Sequence, residues 1–202
     1  RIITVSEHSR RAFLSRVDFP ADRVHVIPNG CEPAFKPQEE GVVRAVRRKH
    51  GLEGPYILTV GTLQPRKNHA AAVGAFRRLR ARGYVGTLVM AGRPGWMTCR
   101  PGESEGTRWL GFVPDGDLPA LYSGADLFLY PSWGEGFGFP PLEAMACGSP
   151  VVASPMGALP EVLGDSALWA DPASESDIAG ACDRLLSAPD LRAKLRAAGP
   201  RR

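Results

Sequence analysis

Short apolar runs alternate with helical patterns along nearly the whole chain, and this alternation constrains the fold more than any other feature of the sequence. Strand-length runs lie at 2–5, 24–27, 56–60, 87–91, 109–113, 126–130, 150–153 and 167–170, with helical patterns at 9–16, 42–50, 69–82, 118–124, 140–147, 174–187 and 190–198. Strands separated this regularly by helices pair in parallel through right-handed crossovers, so the expected class is α/β with a doubly wound parallel sheet. Ligands of such sheets gather beyond the carboxyl ends of the strands. Gly61, Gly92, Val113 and the turn around Glu135 all fall there.

Size and charge narrow the class further. At 202 residues with 44% hydrophobic content the chain can bury one α/β core. No apolar run approaches the ~20 residues that span a bilayer, and the N-terminus lacks the basic-then-apolar layout of a signal peptide. The chain reads as soluble and cytosolic. The net charge of +4 comes mainly from arginine, the lysines being Lys36, Lys49, Lys67 and Lys194. The basic clusters at 44–49 and 77–82 lie on helical patterns and read as solvated faces, with peripheral contact to an anionic leaflet as the alternative. They carry no interleaved aromatics, which argues against nucleic acid. Cys31, Cys99, Cys147 and Cys182 lack metal-ligand spacing and read as reduced thiols, Cys147 in the core. His8, His25, His50 and His69 are scattered and read as packing or surface. Asp115 and Asp117 form an Asp-x-Asp that could hold a metal. Standing just before a helical pattern, they read more simply as a turn residue and a helix cap, and no metal is expected.

Two segments carry chemistry. In the run 131–148, a strand is followed by the glycine turn Gly134-Glu135-Gly136-Phe137-Gly138 and then by Pro140-Pro141, which preset the first turn of a helix. Gly136 and Gly138 permit close ligand approach, and the free amides of the helix end favour an anion. Glu143, expected in the first turn, is placed to accept hydrogen bonds from a diol such as ribose. The bland alternative makes Glu135 a solvated loop residue and Glu143 an ordinary first-turn acid. The second segment, Gly61-Thr62-Leu63-Gln64-Pro65-Arg66-Lys67, leaves a buried strand and ends in two cations suited to a diphosphate, Arg66 as a fork and Lys67 as a point charge. Its alternative is a solvated basic turn.

The stretch from Ala125 to Ala153, with both glutamates and the glycine turn, resembles the signature of retaining GT-B glycosyltransferases of the large family containing bacterial mannosyl- and glucosyltransferases, sucrose synthase and sucrose-phosphate synthase. Further motifs follow in the family's order: Ile2 to Arg11, Val26-Ile27-Pro28-Asn29-Gly30, Tyr56 to Gly61, Thr62 to Asn68, and Gly111-Phe112-Val113-Pro114-Asp115. Several independent motifs in order are specific where one would be weak.

The resemblance implies a Rossmann-like sheet forming one half of a GT-B fold. Residues 1–22 would be the end of an N-terminal acceptor domain with its linker, and 23–202 the donor-binding domain. The implied reaction moves a hexose, mannose before others, from GDP-mannose or a UDP-sugar to a glycan or lipid-linked acceptor with retention, and without a cofactor. Glu135, Arg66 and Lys67 would be catalytic; Gly61, Thr62, Val113, Gly136, Phe137, Gly138 and Glu143 would bind the donor. Because the acceptor domain would lie outside this chain, the chain by itself would transfer nothing. A non-catalytic nucleotide-sugar-binding module and a GT-B-type epimerase or phosphorylase are the competing readings. Two departures stand out: Thr62 replaces an arginine common in relatives, and residues 97–108 read as a loop where relatives fit a helix.

Overall fold

Strand β3 (Tyr56–Val60) lies at the centre of one six-stranded sheet in the computed structural model, which describes residues 1–95 and 106–202. From β3 the chain builds outward through β4 (Thr87–Ala91) to β5 (Thr107–Gly111). It then returns to lay β6 (Leu127–Tyr130) on the other side of β3, followed by β7 (Val151–Ala153) and β8 (Ala167–Trp169). All pairings in the resulting order β5-β4-β3-β6-β7-β8 are parallel. This is the expected doubly wound Rossmann-like sheet, and strand order reverses between β3 and β6. Ligand crevices open at such a reversal. A separate parallel pair joins β1 (Ile2–Thr4) to β2 (Val24–Val26).

The helices are α1 (Glu7–Leu14), α2 (Glu40–Lys49), α3 (His69–Ala81), α4 (Leu118–Ser123), α5 (Phe139–Ala146), α6 (Leu159–Leu163), α7 (Glu175–Ser187) and α8 (Pro189–Ala198). Helix α1 packs on the β1–β2 pair, and the other helices cover both faces of the large sheet, so its central strands are buried on both sides and read as continuous apolar runs. Alternate residues serve the two faces. Leu58, Val89, Phe128 and Val151 join Leu121 of α4, Met145 of α5 and Leu159 of α6 in one core. Ile57, Leu88, Leu127 and Val152 join Phe76 and Leu79 of α3 and Ile178 and Leu185 of α7 in the other. Truncating one of these buried leucines to alanine costs about 2–5 kcal/mol.

Several sequence expectations are corrected here. Strand β5 begins at Thr107, where the sequence suggested loop, and ends at Gly111 instead of 113. Pairing of Leu88 with Thr107 starts it, while a register shift after Met90 and the positive φ of 69° at Gly111 stop it. The rest of the 97–108 segment, apart from 106–108, lies outside the described residues, as does Cys99. Helix α6 was not anticipated, although Pro160 in its first turn is a start signal. Helix α1 begins at Glu7, two residues early, because the Ser6 side chain caps it by accepting from Ser9 N–H. Asp117 precedes α4 but makes no side-chain cap. Its Oδ2 instead lies 2.7 Å from Lys49 Nζ and 2.8 Å from His50 Nε2, so Lys49 and His50 are not merely solvated surface. The bond from Lys49 draws the Asp117 carboxyl below its ordinary range, against a smaller effect of burial.

Candidate donor-binding site

The two chemistry-bearing segments leave adjacent strands at the strand-order reversal. The loop after β3 ends at Asn68, which among described residues is the non-glycine with positive φ, 55°. Its side-chain amide donates to the carbonyls of Pro131 at 3.0 Å and Pro172 at 2.9 Å, which fastens this loop to the exit of β6. The Trp133 amide donates to the Arg66 carbonyl at 2.8 Å, joining the loops a second time. An asparagine before a helix reads as a cap in the sequence, yet here no cap bond forms.

Glu135 sits where the loops meet, with its side chain only 8% exposed. Its two carboxylate oxygens have different environments. Oε1 accepts from Lys67 Nζ at 2.9 Å, Tyr130 Oη at 3.0 Å and Ser132 Oγ at 2.7 Å. Oε2 lies 2.5 Å from Arg66 Nη1, which also donates to the Gly134 carbonyl at 2.7 Å. Lys67 Nζ further bonds the Tyr130 hydroxyl and lies 4.9 Å from the centre of that ring. Burial raises the Glu135 pKa, but hydrogen bonds from Arg66 and Lys67 outweigh it and hold the carboxyl below its ordinary value. Burial lowers the Lys67 pKa, opposed by Glu135. The solvated-loop reading of Glu135 and the solvated-turn reading of Lys67 therefore fail.

The glycine turn is held from outside. Ser6 and Ser9 hydroxyls donate to the Gly136 carbonyl at 2.7 and 3.1 Å, and Ala158 N–H donates to the Glu135 carbonyl at 2.9 Å. Gly157 backs onto this turn so closely that a β-carbon there would lie 2.4 Å from the Glu135 carbonyl oxygen. Gly138 has φ 104° and opens α5, where a side chain would strain the backbone. Prolines 140 and 141 carry no N–H, and Leu142 N–H already reaches the Gly138 carbonyl at 3.4 Å. The helix end therefore offers fewer amides than the sequence reading supposed.

Glu143 lies beyond the first turn because α5 starts at Phe139. Its Oε2 accepts from the Tyr122 hydroxyl at 3.0 Å. Burial pushes its pKa up, the Tyr122 bond opposes this, and Glu32 and Asp115 add to the rise. Tyr122 and Tyr130 are joined through Phe128, with ring centres 5.4 and 5.8 Å apart. Each signature glutamate thus stands on a buried tyrosine, a pairing the sequence offered no spacing rule to detect.

Seven of the ten predicted residues line three clefts, whereas Lys67, Gly138 and Glu143 line none of these. Arg66, Glu135 and Gly136 line one of about 360 Å3 with His8 and Ser9. Gly61, Thr62 and Val113 line another of about 230 Å3 with Gly92, Arg93 and Asp115. The Lys67 stem packs against Gly61, within 3.4 Å of where a β-carbon would stand, and so adjoins both. Phe137 lines a third cleft of about 320 Å3 with Asn29, Gly30 and Leu142. The arrangement as a whole presents cations, turn amides and a fixed carboxylate at the crevice of a Rossmann-like sheet.

Known proteins resemble this chain in sequence and in fold. The family model described as glycosyl transferases group 1 matches residues 43–202. O-antigen chain mannosyltransferase B from Escherichia coli is 41% identical over 180 residues, covering 85% of this chain and 47% of that protein. The serotype-specific mannosyltransferase WbdA from Escherichia coli is 32% identical over 198 residues, covering 92% of this chain and 24% of that protein. The chain therefore spans half or less of the length of these curated relatives. Sucrose-phosphate synthase from Thermosynechococcus elongatus superposes with TM-score 0.80 at 26% identity, over 98% of this chain and 52% of that one. HepE from Anabaena, determined in complex with UDP-glucose, superposes with TM-score 0.83 at 22% identity, over 99% of this chain and 58% of that one; at that identity the likeness concerns the fold.

Proposed function

Because the chain belongs to the group 1 glycosyl transferases, we propose that it forms the donor-binding half of a retaining glycosyltransferase that moves a hexose from a nucleoside-diphosphate sugar to a glycan or lipid-linked acceptor. The observation that carries this reading is the Arg66–Glu135–Lys67 cluster at the strand-order reversal. Mannose carried by GDP is the first choice among donors, supported by the mannosyltransferase relatives. UDP-sugars are the second.

Breaking the glycosyl–phosphate bond builds negative charge on the departing phosphate and positive charge on the sugar ring. Arg66, Lys67 and the amides of Gly136 to Gly138 stabilise the first; fixed donors act strongly in a site that excludes water. Glu135 holds sugar hydroxyls and faces the cationic ring, while Glu143 accepts from the ribose. Gly61, Thr62 and Val113 flank the base and diphosphate, and Phe137 packs beside the turn. The phosphate charge is met by these groups without a cofactor or metal.

The acceptor belongs to a second domain in this proposal, with residues 1–22 as its final segment. Exposure of Ile3 (65%) and Ile27 (54%) around the two-stranded sheet supports that view, since an isolated pair of strands is marginal without cover. A cytoplasmic location and peripheral membrane contact also belong to the proposal. Among the described residues, no helix is long and apolar enough to cross a membrane.

The test is calorimetric titration of the 202-residue chain with GDP, UDP, GDP-mannose and UDP-glucose in EDTA. Binding of a nucleoside diphosphate without metal is the expected result. Strict dependence on magnesium would return Asp115 and Asp117 to a metal-binding role, and no binding at all would end the proposal.

A further inference from the structure

We infer that Tyr130 and Tyr122 are positioning residues that divide the donor between them, Tyr130 orienting Glu135 for the sugar and Tyr122 orienting Glu143 for the nucleoside. The inference rests on the donor-binding reading above and extends it to residues that touch no ligand.

The two oxygens of Glu135 are unequal. Oε1 is held by Lys67, Ser132 and Tyr130, whereas Oε2 has Arg66 as its partner, and the Arg66 side chain is 46% exposed. Oε1 is therefore the anchored oxygen and Oε2 the working one. An arriving diphosphate draws the exposed guanidinium to itself, since a forked cation binds phosphate oxygens at least as well as one carboxylate oxygen. Oε2 is then free to accept from a sugar hydroxyl while Oε1 stays pinned. Tyr130 is fitted to this pinning because its ring lies fixed in the core, 1% exposed, stacked on Phe128. Its hydroxyl accepts from Lys67 and donates to Glu135, so it sets the position of both.

Tyr122 repeats the device on the other glutamate. It is fully buried at 0% exposure, meets Phe128 edge to face, and donates its hydroxyl hydrogen bond to Glu143 Oε2. Among the described residues no cation is bonded to Glu143, and this phenol is the strongest neighbour favouring its ionised form. An ionised, oriented carboxylate is what a ribose diol requires. A ligand bound by both ends thus has each end set by a separate rigid ring.

The test uses Tyr130→Phe and Tyr122→Phe in the 202-residue chain, titrated with GDP and GDP-mannose, and with UDP and UDP-glucose. Phenylalanine keeps each ring and removes one hydrogen bond. Tyr130→Phe is expected to leave affinity for the free diphosphate within about twofold and to cut the extra affinity given by the sugar about 3- to 10-fold, the range of one net hydrogen bond. Tyr122→Phe is expected to weaken diphosphate and sugar nucleotide alike, about 3- to 10-fold, leaving the sugar's extra contribution unchanged. Ser132→Ala, which removes another donor to Oε1, should follow Tyr130→Phe and keeps the test open if that variant folds poorly. Loosening of the core alone would lower both ligands in both tyrosine variants and would not produce this crossed pattern. Uniform losses, or no loss in either variant, would overturn the inference while leaving donor binding intact. Failure of the parent chain to bind any of the four ligands would overturn both.

Discussion

Replacing Glu135 with glutamine keeps the shape of the side chain and removes its charge, and the geometry sets the outcome. An amide oxygen at the Oε1 position can still accept from Lys67, Tyr130 and Ser132, but the amide nitrogen then faces Arg66 Nη1, which lay 2.5 Å from Oε2. Two donors cannot share that contact. Arg66 is half exposed and turns to solvent at little cost, as for other exposed ion pairs. Lys67 cannot, because its side chain is 11% exposed, and its charge loses the buried partner that offset burial. Stripping a buried pair of one partner costs about 3–5 kcal/mol, and the retained hydrogen bonds reduce this to about 1–3 kcal/mol. In a domain of this size that lowers Tm by about 2–4 °C per kcal/mol. The difference must also depend on pH with a definite sign. The folded pKa of Glu135 is depressed, so its contribution is fully present above the unfolded carboxyl value of about 4.3 and is lost as pH falls through the folded value. Urea unfolding of Glu135→Gln and parent at pH 7 and at successively lower pH is the assay. A stability gap that is absent at pH 7, or that persists unchanged well below pH 4, would refute the buried charge cluster.

The remaining predictions concern its neighbours. Glu143 has a folded pKa raised by burial, so its ionised form burdens the fold above that pKa; Glu143→Gln is expected to raise Tm of the empty chain at neutral pH, measured by calorimetry. Glu143→Ala is expected to weaken free nucleotide binding by on the order of 1.5–3 kcal/mol, and unchanged affinity in a titration would remove this residue from the site. Gly157→Ala places a β-carbon 2.4 Å from the Glu135 carbonyl oxygen at a residue with φ 68°; a loss of at least about 1 kcal/mol in urea unfolding, with weaker sugar-nucleotide binding, is expected.

How much of this was readable before folding depended on the range of the interaction. The alternation of elements and the exits of β3 and β6 followed from local periodicity and turn chemistry, and they brought Gly61, Arg66, Lys67 and the Glu135 turn to one edge. Strand ends depended on partners: Thr107 is a strand residue because Leu88 pairs with it, which nothing within 97–108 announces. Asp117 looked like a cap because capping is local, whereas Lys49 and His50 reach it from 68 and 67 positions upstream. Tyr122 and Tyr130 sat inside apolar runs and read as core, which their rings are. Only their hydroxyls face the glutamates, and one-letter periodicity cannot separate a ring from its hydroxyl.

In the proposed site a diphosphate replaces Glu135 at Arg66 and frees its second oxygen for the sugar. A crystal structure of this chain with an intact nucleoside-diphosphate sugar tests it most directly. The expected complex has Arg66 and Lys67 on the diphosphate, Glu135 Oε2 within hydrogen-bond reach of a sugar hydroxyl with Oε1 still on Tyr130 and Ser132, and Glu143 on the ribose. A donor bound with the Arg66–Glu135 pair intact, or with its diphosphate away from the exits of β3 and β6, would contradict it.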